Sequence, residues 1–240
     1  MNRNELVLAS FILGVAILLT GVVATFGFYK VKSLSNTISV TGSAERSITS
    51  DVVKWTLQIT HSTGLSDLPA GNADVQKDLK GLREFFKSAS IKDDWVTVAP
   101  INVTTMYDYN RGGAPSGYTL TQTVVVESDD VETVKKASEN AGELINKGFL
   151  VSTTTVEYFY SKLADLKQDI LADAMKDAKM RAEKMVASGG GKIGSLREAS
   201  MGVLQVTAKN SVEISDYGSY DTSAVEKKVT GVVRASFGID

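Results

Sequence analysis

Between Leu6 and Phe28 the chain carries no charged residue. That run decides what the remainder can be attached to. Coiled as a helix it is about 35 Å long, enough to cross a hydrocarbon layer of about 30 Å. A cleaved signal peptide is the competing reading, with Val22-Val23-Ala24 as its small-residue cut. The apolar stretch exceeds a signal core and continues through Phe26 and Phe28, which favours an uncleaved anchor. Leu6, Phe11, Ile12, Leu18, Val22, Phe26 and Phe28 are then its lipid-facing residues. Arg3 and Glu5 precede the span and Lys30 and Lys32 follow it, too few charges for the positive-inside rule to orient it. No later run is long and apolar enough to span again, so a single pass is expected. The sequence divides into residues 1–5 before the span, an anchor at 6–28, a linker at 29–35 and one domain at 36–240.

Composition narrows the chemistry. The 240 residues carry a formal net charge of -2, with no basic surplus for nucleic acid. Without cysteine there are no disulfides, thiolate catalysis or zinc–cysteine sites. His61 is the only histidine, which removes HExxH and every other two-histidine metal site. No cofactor is expected.

The stretch GGGKIGS, from Gly189, superficially suggests a phosphate loop. Such a loop needs G-x-x-x-x-G-K-[ST], entered from a strand and leading into a helix. Here Ile193 follows Lys192 in place of the hydroxyl residue, Val186 stands where the first glycine belongs, and the loop leaves a helix. Glycine just past a helix end is the ordinary C-cap.

Hydrophobic periodicity supplies the elements. Asn36–Ile48 and Asp51–Ser62 read as strands, the second with Val53, Trp55, Leu57 and Ile59 on one side. Pro69–Ala89 reads as a helix with Val75, Leu79, Leu82, Phe85 and Phe86 as its stripe. Trp95–Tyr109 and Gly117–Ser128 read as strands around the flexible loop NRGGAPSG. Asp129 or Asp130 is placed to cap a helix at Val131–Lys147, ended by Gly148. A strand at Phe149–Tyr160 and a long helix at Leu163–Ala187 follow. Ser195–Ala208 is a strand or two short ones, Asn210–Ala224 a polar loop, and Glu226–Ile239 the last strand. The order ββα, ββα, βα, ββ predicts an α+β fold, with helices on one face of a mostly antiparallel sheet.

Leu163, Leu166, Ile170, Ala174, Ala178, Ala182 and Met185 form one stripe of the long helix, and its alanines permit close approach to a neighbour. Asp177–Arg181 and Lys179–Glu183 are spaced for ion pairs along it. A solvated charged face is the default reading. The sharper reading makes Asp173, Asp177, Arg181 and Lys184 contacts to another copy, together with Tyr107 and Tyr109 at the loop. For the tyrosines, packing across the strands is the plainer alternative.

DAMKDAKMRAEKMVASGGGKIGSLREAS resembles the SIMPL-domain family: Asp177-Ala178, Arg181-Ala182, Gly191, Gly194 and Glu198 fall in step with its helix, glycine turn and following strand. ISVTGSAERSITSDVVKWTLQI is similar to the family's opening strands, although Ser50 stands where proline is usual, and GYTLTQTVVVES fits its middle. The resemblance covers about residues 36–240. It implies an envelope protein with its N-terminus in the cytoplasm and its domain in the periplasm or outside the cell. Among such proteins are periplasmic ones linked to oxidative-stress tolerance and an immunogen that assembles into a large ring. It brings no catalytic residues.

Other candidates are weak. Ser62 and Asp67 lie near His61, but there is no G-x-S-x-G, and His61 is expected at the surface. Asp93-Asp94 and Asp129-Asp130 lack EF-hand spacing, so capping and solvation explain them. Asn102-Val103-Thr104 is a glycosylation sequon, meaningful only in a host that uses it. The expectation is a non-enzymatic, single-pass inner-membrane protein that assembles into a ring or cage with itself as partner. The alternative is a binding module acting through its tyrosine-rich and C-terminal loops.

Overall fold

A computed structural model describes residues 3–34, 36–211 and 217–239. The apolar run lies within α1, Arg3–Leu34. Its Phe11–Tyr29 window has a mean hydropathy of 2.4 and none of it is buried. Phe11, Ile12, Leu18, Val22, Phe26 and Phe28 are all exposed, as a lipid-facing surface requires, and Leu6 lies in the helix with its side chain outside the described residues. Thr20 and Thr25 donate their hydroxyls to the carbonyls of Ala16 and Gly21, 2.8 Å each, so both can sit in hydrocarbon. The expected linker at 29–35 is mostly helix: Tyr29 to Leu34 holds no glycine or proline, and nothing stops the ladder earlier.

Beyond α1 the chain forms two compact units. The first comprises residues 1–44, 168–203 and 230–240; the second comprises 45–167 and 204–229.

In the second unit, β2 (Val52–Thr63) is central. It pairs antiparallel with β5 (Ala114–Ser128) and β6 (Val151–Phe159). Alternation puts Val53, Trp55, Leu57 and Ile59 on one side, all with zero exposure. Against them pack Val75, Leu79, Leu82, Phe85 and Phe86 of α2 (Leu68–Ser88) and Val134 and Ala137 of α3 (Val131–Glu139). Phe86 meets Trp55 edge-on at 5.7 Å. Asp130 caps α3, accepting from the Thr133 N–H at 3.1 Å.

Two expected elements are split. Trp95–Tyr109 is a 3₁₀ turn followed by β3 (Val96–Val98) and β4 (Asn102–Asp108), both paired to β5. Pro100 lies between them, has no N–H for a ladder, and the register moves by one residue there. Val131–Lys147 breaks at Asn140, whose N–H is shared between the Lys136 and Ala137 carbonyls. The chain resumes as the short α4, Gly142–Asn146, and glycine at that restart is a poor helix former.

In the first unit, β10 (Glu226–Ile239) lies between β1 (Thr37–Thr49) and β7 (Ile193–Met201); α5 (Leu163–Ser188) packs on one face. β1, β10 and α5 each continue into the second unit. Ala174, Ala178 and Ala182 have zero exposure. Gly42 of β1 lies so close that a Cβ there would strike the Ala174 carbonyl and the Ala178 nitrogen, which explains the small stripe. The stripe ends on Val186, not on Met185, which is 57% exposed. Steps of four from Ile170 keep one row facing the sheet and leave Met185 on the solvent side. At the end of α5, Gly190 has φ +80°, and the Gly191 N–H bonds the Val186 carbonyl at 3.1 Å. GGGK is the C-cap expected. The segment expected as one or two strands is β7 and β8 (Gln205–Ala208), and β8 pairs parallel with the two-residue β9, Ser219–Tyr220. The observed class is α+β.

Candidate functional site

β7 is the most exposed strand. Among the described residues it pairs only with β10, leaving its other edge open. Register places Leu196, Ala199 and Met201 opposite Phe237, Ala235 and Val233, so all face the side that α5 covers elsewhere. The partners on β10 are buried, yet Leu196 is 49% and Met201 67% exposed. The core face of this sheet runs on, uncovered, to an open edge.

The charged face of α5 is largely engaged within its own unit. Asp177 accepts from the Ser43 N–H at 2.9 Å and from Arg181 Nε at 2.8 Å, and these bonds hold its carboxyl below the usual range. Asp173 pairs with Lys176 at 3.1 Å and Lys179 with Glu183 at 3.9 Å. Lys184 is exposed. In the second unit Tyr107 and Tyr109 are 53% and 88% exposed beside the β4–β5 turn, where Asp108 accepts from the Asn110 N–H.

His61 is not the surface residue expected. It continues the row of Val53, Trp55, Leu57 and Ile59 onto the core face, opposite Leu120. Its Nε2 lies 2.8 Å from Asp78 Oδ2, and the same oxygen accepts the Leu150 N–H at 2.7 Å. Asp78 is buried on the inner side of α2. Both signals were readable: His61 is two past Ile59, and Asp78 lies between Val75 and Leu79 on the apolar stripe. Ser62, by alternation, points to the other face, so the pair is joined by neither Ser62 nor Asp67. Among the described residues no three His, Asp or Glu side chains group to hold a metal.

A shallow cleft of about 320 Å³ in the second unit is lined by Leu163, Lys167, Leu204, Val206, Tyr217 and Tyr220. Tyr220 is held in place: its ring stacks on Phe159 at 6.2 Å and its hydroxyl accepts the Tyr160 N–H at 3.3 Å. Lys227 is fully buried beneath this segment and donates to the Asp221 carbonyl. Burial pushes its ammonium pKa down. The Asp221 carboxylate accepts from the Ser223 hydroxyl and N–H and from the Ala208 N–H, which hold it below the usual range. Part of the C-terminal loop, 212–216, lies outside the described residues.

The chain matches the model of the SIMPL family, described as a protein of unknown function (DUF541), over residues 38–237. No curated protein matches. Two solved structures are similar at 10% identity: a hydrolase from Listeria innocua, covering 82% of this chain and 91% of that one with a TM-score of 0.22, and an unknown protein from Galdieria sulphuraria, at 78%, 83% and 0.19. Overlap that poor carries no argument about fold or chemistry.

Proposed function

The chain belongs to the SIMPL family, and from that premise we propose that it is a bilayer-anchored, extracytoplasmic protein that self-associates and catalyses no reaction. α1 supports the anchor by its length and its uninterrupted apolar surface. The observation that carries self-association is the β7 edge, with Leu196, Ala199 and Met201 exposed beside open backbone groups. Natural proteins cover or blunt such edges, and strand addition is the direct way to satisfy them. Closed symmetry would make the product a ring or cage. Asp177 is committed to Ser43 of β1, and Asp173 and Arg181 pair along α5 itself, so these charges are assigned a smaller share of the interface than the β7 edge. His61 and Asp78 support a non-catalytic reading, since their shared bond joins β2, α2 and the start of β6.

The test is the mass of the detergent-extracted full-length protein by light scattering, corrected for detergent. A discrete assembly that Met201→Lys breaks into smaller particles is the expected result. A wild-type monomer overturns the proposal.

The cleft around Tyr220 favours a second reading, a binding module for an acidic sugar whose C–H face packs on a tyrosine ring, with Lys167 as its counter-charge. That reading predicts saturation-transfer signals from acidic sugars that vanish in Tyr217→Ala, whatever the mass.

A further inference from the structure

In the first unit, three strand ends gather where the chain leaves α1. α1 ends at Leu34 and β1 starts at Thr37. The Ile239 N–H bonds the Asn36 carbonyl at 3.0 Å, tying the last strand to that point. Ile193, the first residue of β7, pairs with Ile239. α5 arrives at the same end, since only Gly189 to Lys192 separate Ser188 from Ile193.

Chain length fixes how far this end stands from the bilayer. The apolar window closes at Tyr29. From there to Leu34 the helix rises about 7.5 Å, and the step to β1 adds at most about 10 Å. The headgroup layer itself is about 5–7 Å thick on each side. The strand ends therefore stand no more than about 10–13 Å above the headgroups, close to one Debye length at moderate salt.

The side chains there have the composition of an interfacial surface. Lys184, Lys192 and Arg197 are exposed, and Lys30 and Lys32 stand at the helix exit in the sequence. Met185, Leu196 and Ile239 are 57%, 49% and 39% exposed at the same end. Against these, Glu183 is paired with Lys179, the exposed Glu198 directly follows Arg197, and Asp240 follows Ile239 in the sequence, so the basic excess at this end is modest. Basic heads interleaved with apolar side chains suit an anionic lipid interface, where the charges meet phosphates and the apolar groups enter the acyl boundary.

We propose that the α1-proximal end of this sheet, with Lys184, Lys192, Arg197, Met185, Leu196 and Ile239, docks on the anionic headgroups of the bilayer that α1 crosses. The proposal rests on α1 being a retained anchor. Docking fixes how the β7 edge is presented to neighbouring copies.

A cysteine-free chain allows one clean probe. Full-length protein with Ser195→Cys carrying an environment-sensitive fluorophore is placed in nanodiscs of phosphatidylcholine, with or without phosphatidylglycerol. Anionic lipid is expected to blue-shift the label and expose it to quenching by doxyl lipid. High salt or the K192E/R197E pair should reverse this, at roughly fivefold in surface affinity per basic residue. A label at Ser200→Cys, five residues further along β7 from the α1 end, should respond less. Equal emission at position 195 in both lipids, or a shift that survives charge reversal, overturns the docking and leaves the anchor standing. A chain that does not enter the discs overturns both.

Discussion

Asp78 sits at a junction where one oxygen serves two donors from different elements. Asp78→Ala strands the Leu150 N–H and His61 in a nearly closed site, and an unsatisfied buried group costs about 1–3 kcal/mol. We expect that loss in denaturant unfolding, while Asp67→Ala, an exposed change, stays within about 0.5 kcal/mol. Equal effects of the two would remove the junction's role. Acid stability belongs to this scale as well. Burial pushes the Asp51 carboxyl upward, but the Ser161 hydroxyl and N–H, 2.7 Å each, outweigh it and leave the pKa lowered. Asp221 is also lowered, chiefly by Ser223. A depressed carboxyl contributes fully above its unfolded value of about 3.9 and loses that contribution as pH falls through the folded value. Asp51→Asn combined with Asp221→Asn should therefore flatten the loss of stability below about pH 4. An unchanged acid slope would show that these hydrogen bonds exist equally in the unfolded chain. Lys227 acts in the other pH range: with its folded pKa lowered, its contribution to stability rises with pH between the folded value and the usual lysine value.

At the level of elements, α5 on β1 is the contact most sensitive to a single methyl group. Gly42→Ala drives a Cβ into the α5 backbone, so helix or strand must move. Overpacking of that kind costs about 1–3 kcal/mol. Val186→Ala should cost more than Met185→Ala, because only Val186 faces the sheet. Thermal melts of the three variants check the order, and a neutral Gly42→Ala would show that the two elements separate easily. The sequence allowed this packing to be anticipated in kind: three alanines at steps of four announce a close neighbour. Which neighbour was not legible, because Gly42 is one glycine among many until the chain is folded. The strand periods, the Asp130 cap and the glycine C-cap were equally readable, since each is local. Pro100 and Asn140 interrupt apolar patterns that continue across them, so periodicity alone ran two strands together and joined two helices. His61 was misplaced because a polar residue was assigned by its chemistry, although the alternation of its own strand put it inward.

For the whole molecule, anchoring changes what the β7 edge has to accomplish. An edge of one short strand is a modest interface for a protein free in three dimensions. Confinement of copies to one bilayer raises their effective concentration, and a common docking height would present every β7 at the same level. Weak strand pairing then suffices for assembly. This predicts a specific dependence on lipid dilution. With Ser200→Cys on β7 as the chain's only thiol, oxidation of full-length protein in liposomes should yield disulfide-linked dimers. The yield should fall as lipid is added at constant protein. Thr104→Cys, exposed on β4 in the second unit, should cross-link no more than chance encounter gives. Met201→Lys beside the probe should abolish the Ser200→Cys dimer, because it puts a charge on the apolar continuation of the sheet. If Ser200→Cys and Thr104→Cys dimerise alike at every dilution, copies merely collide, the open edge is not an interface, and the cleft at Tyr220 becomes the surface to pursue.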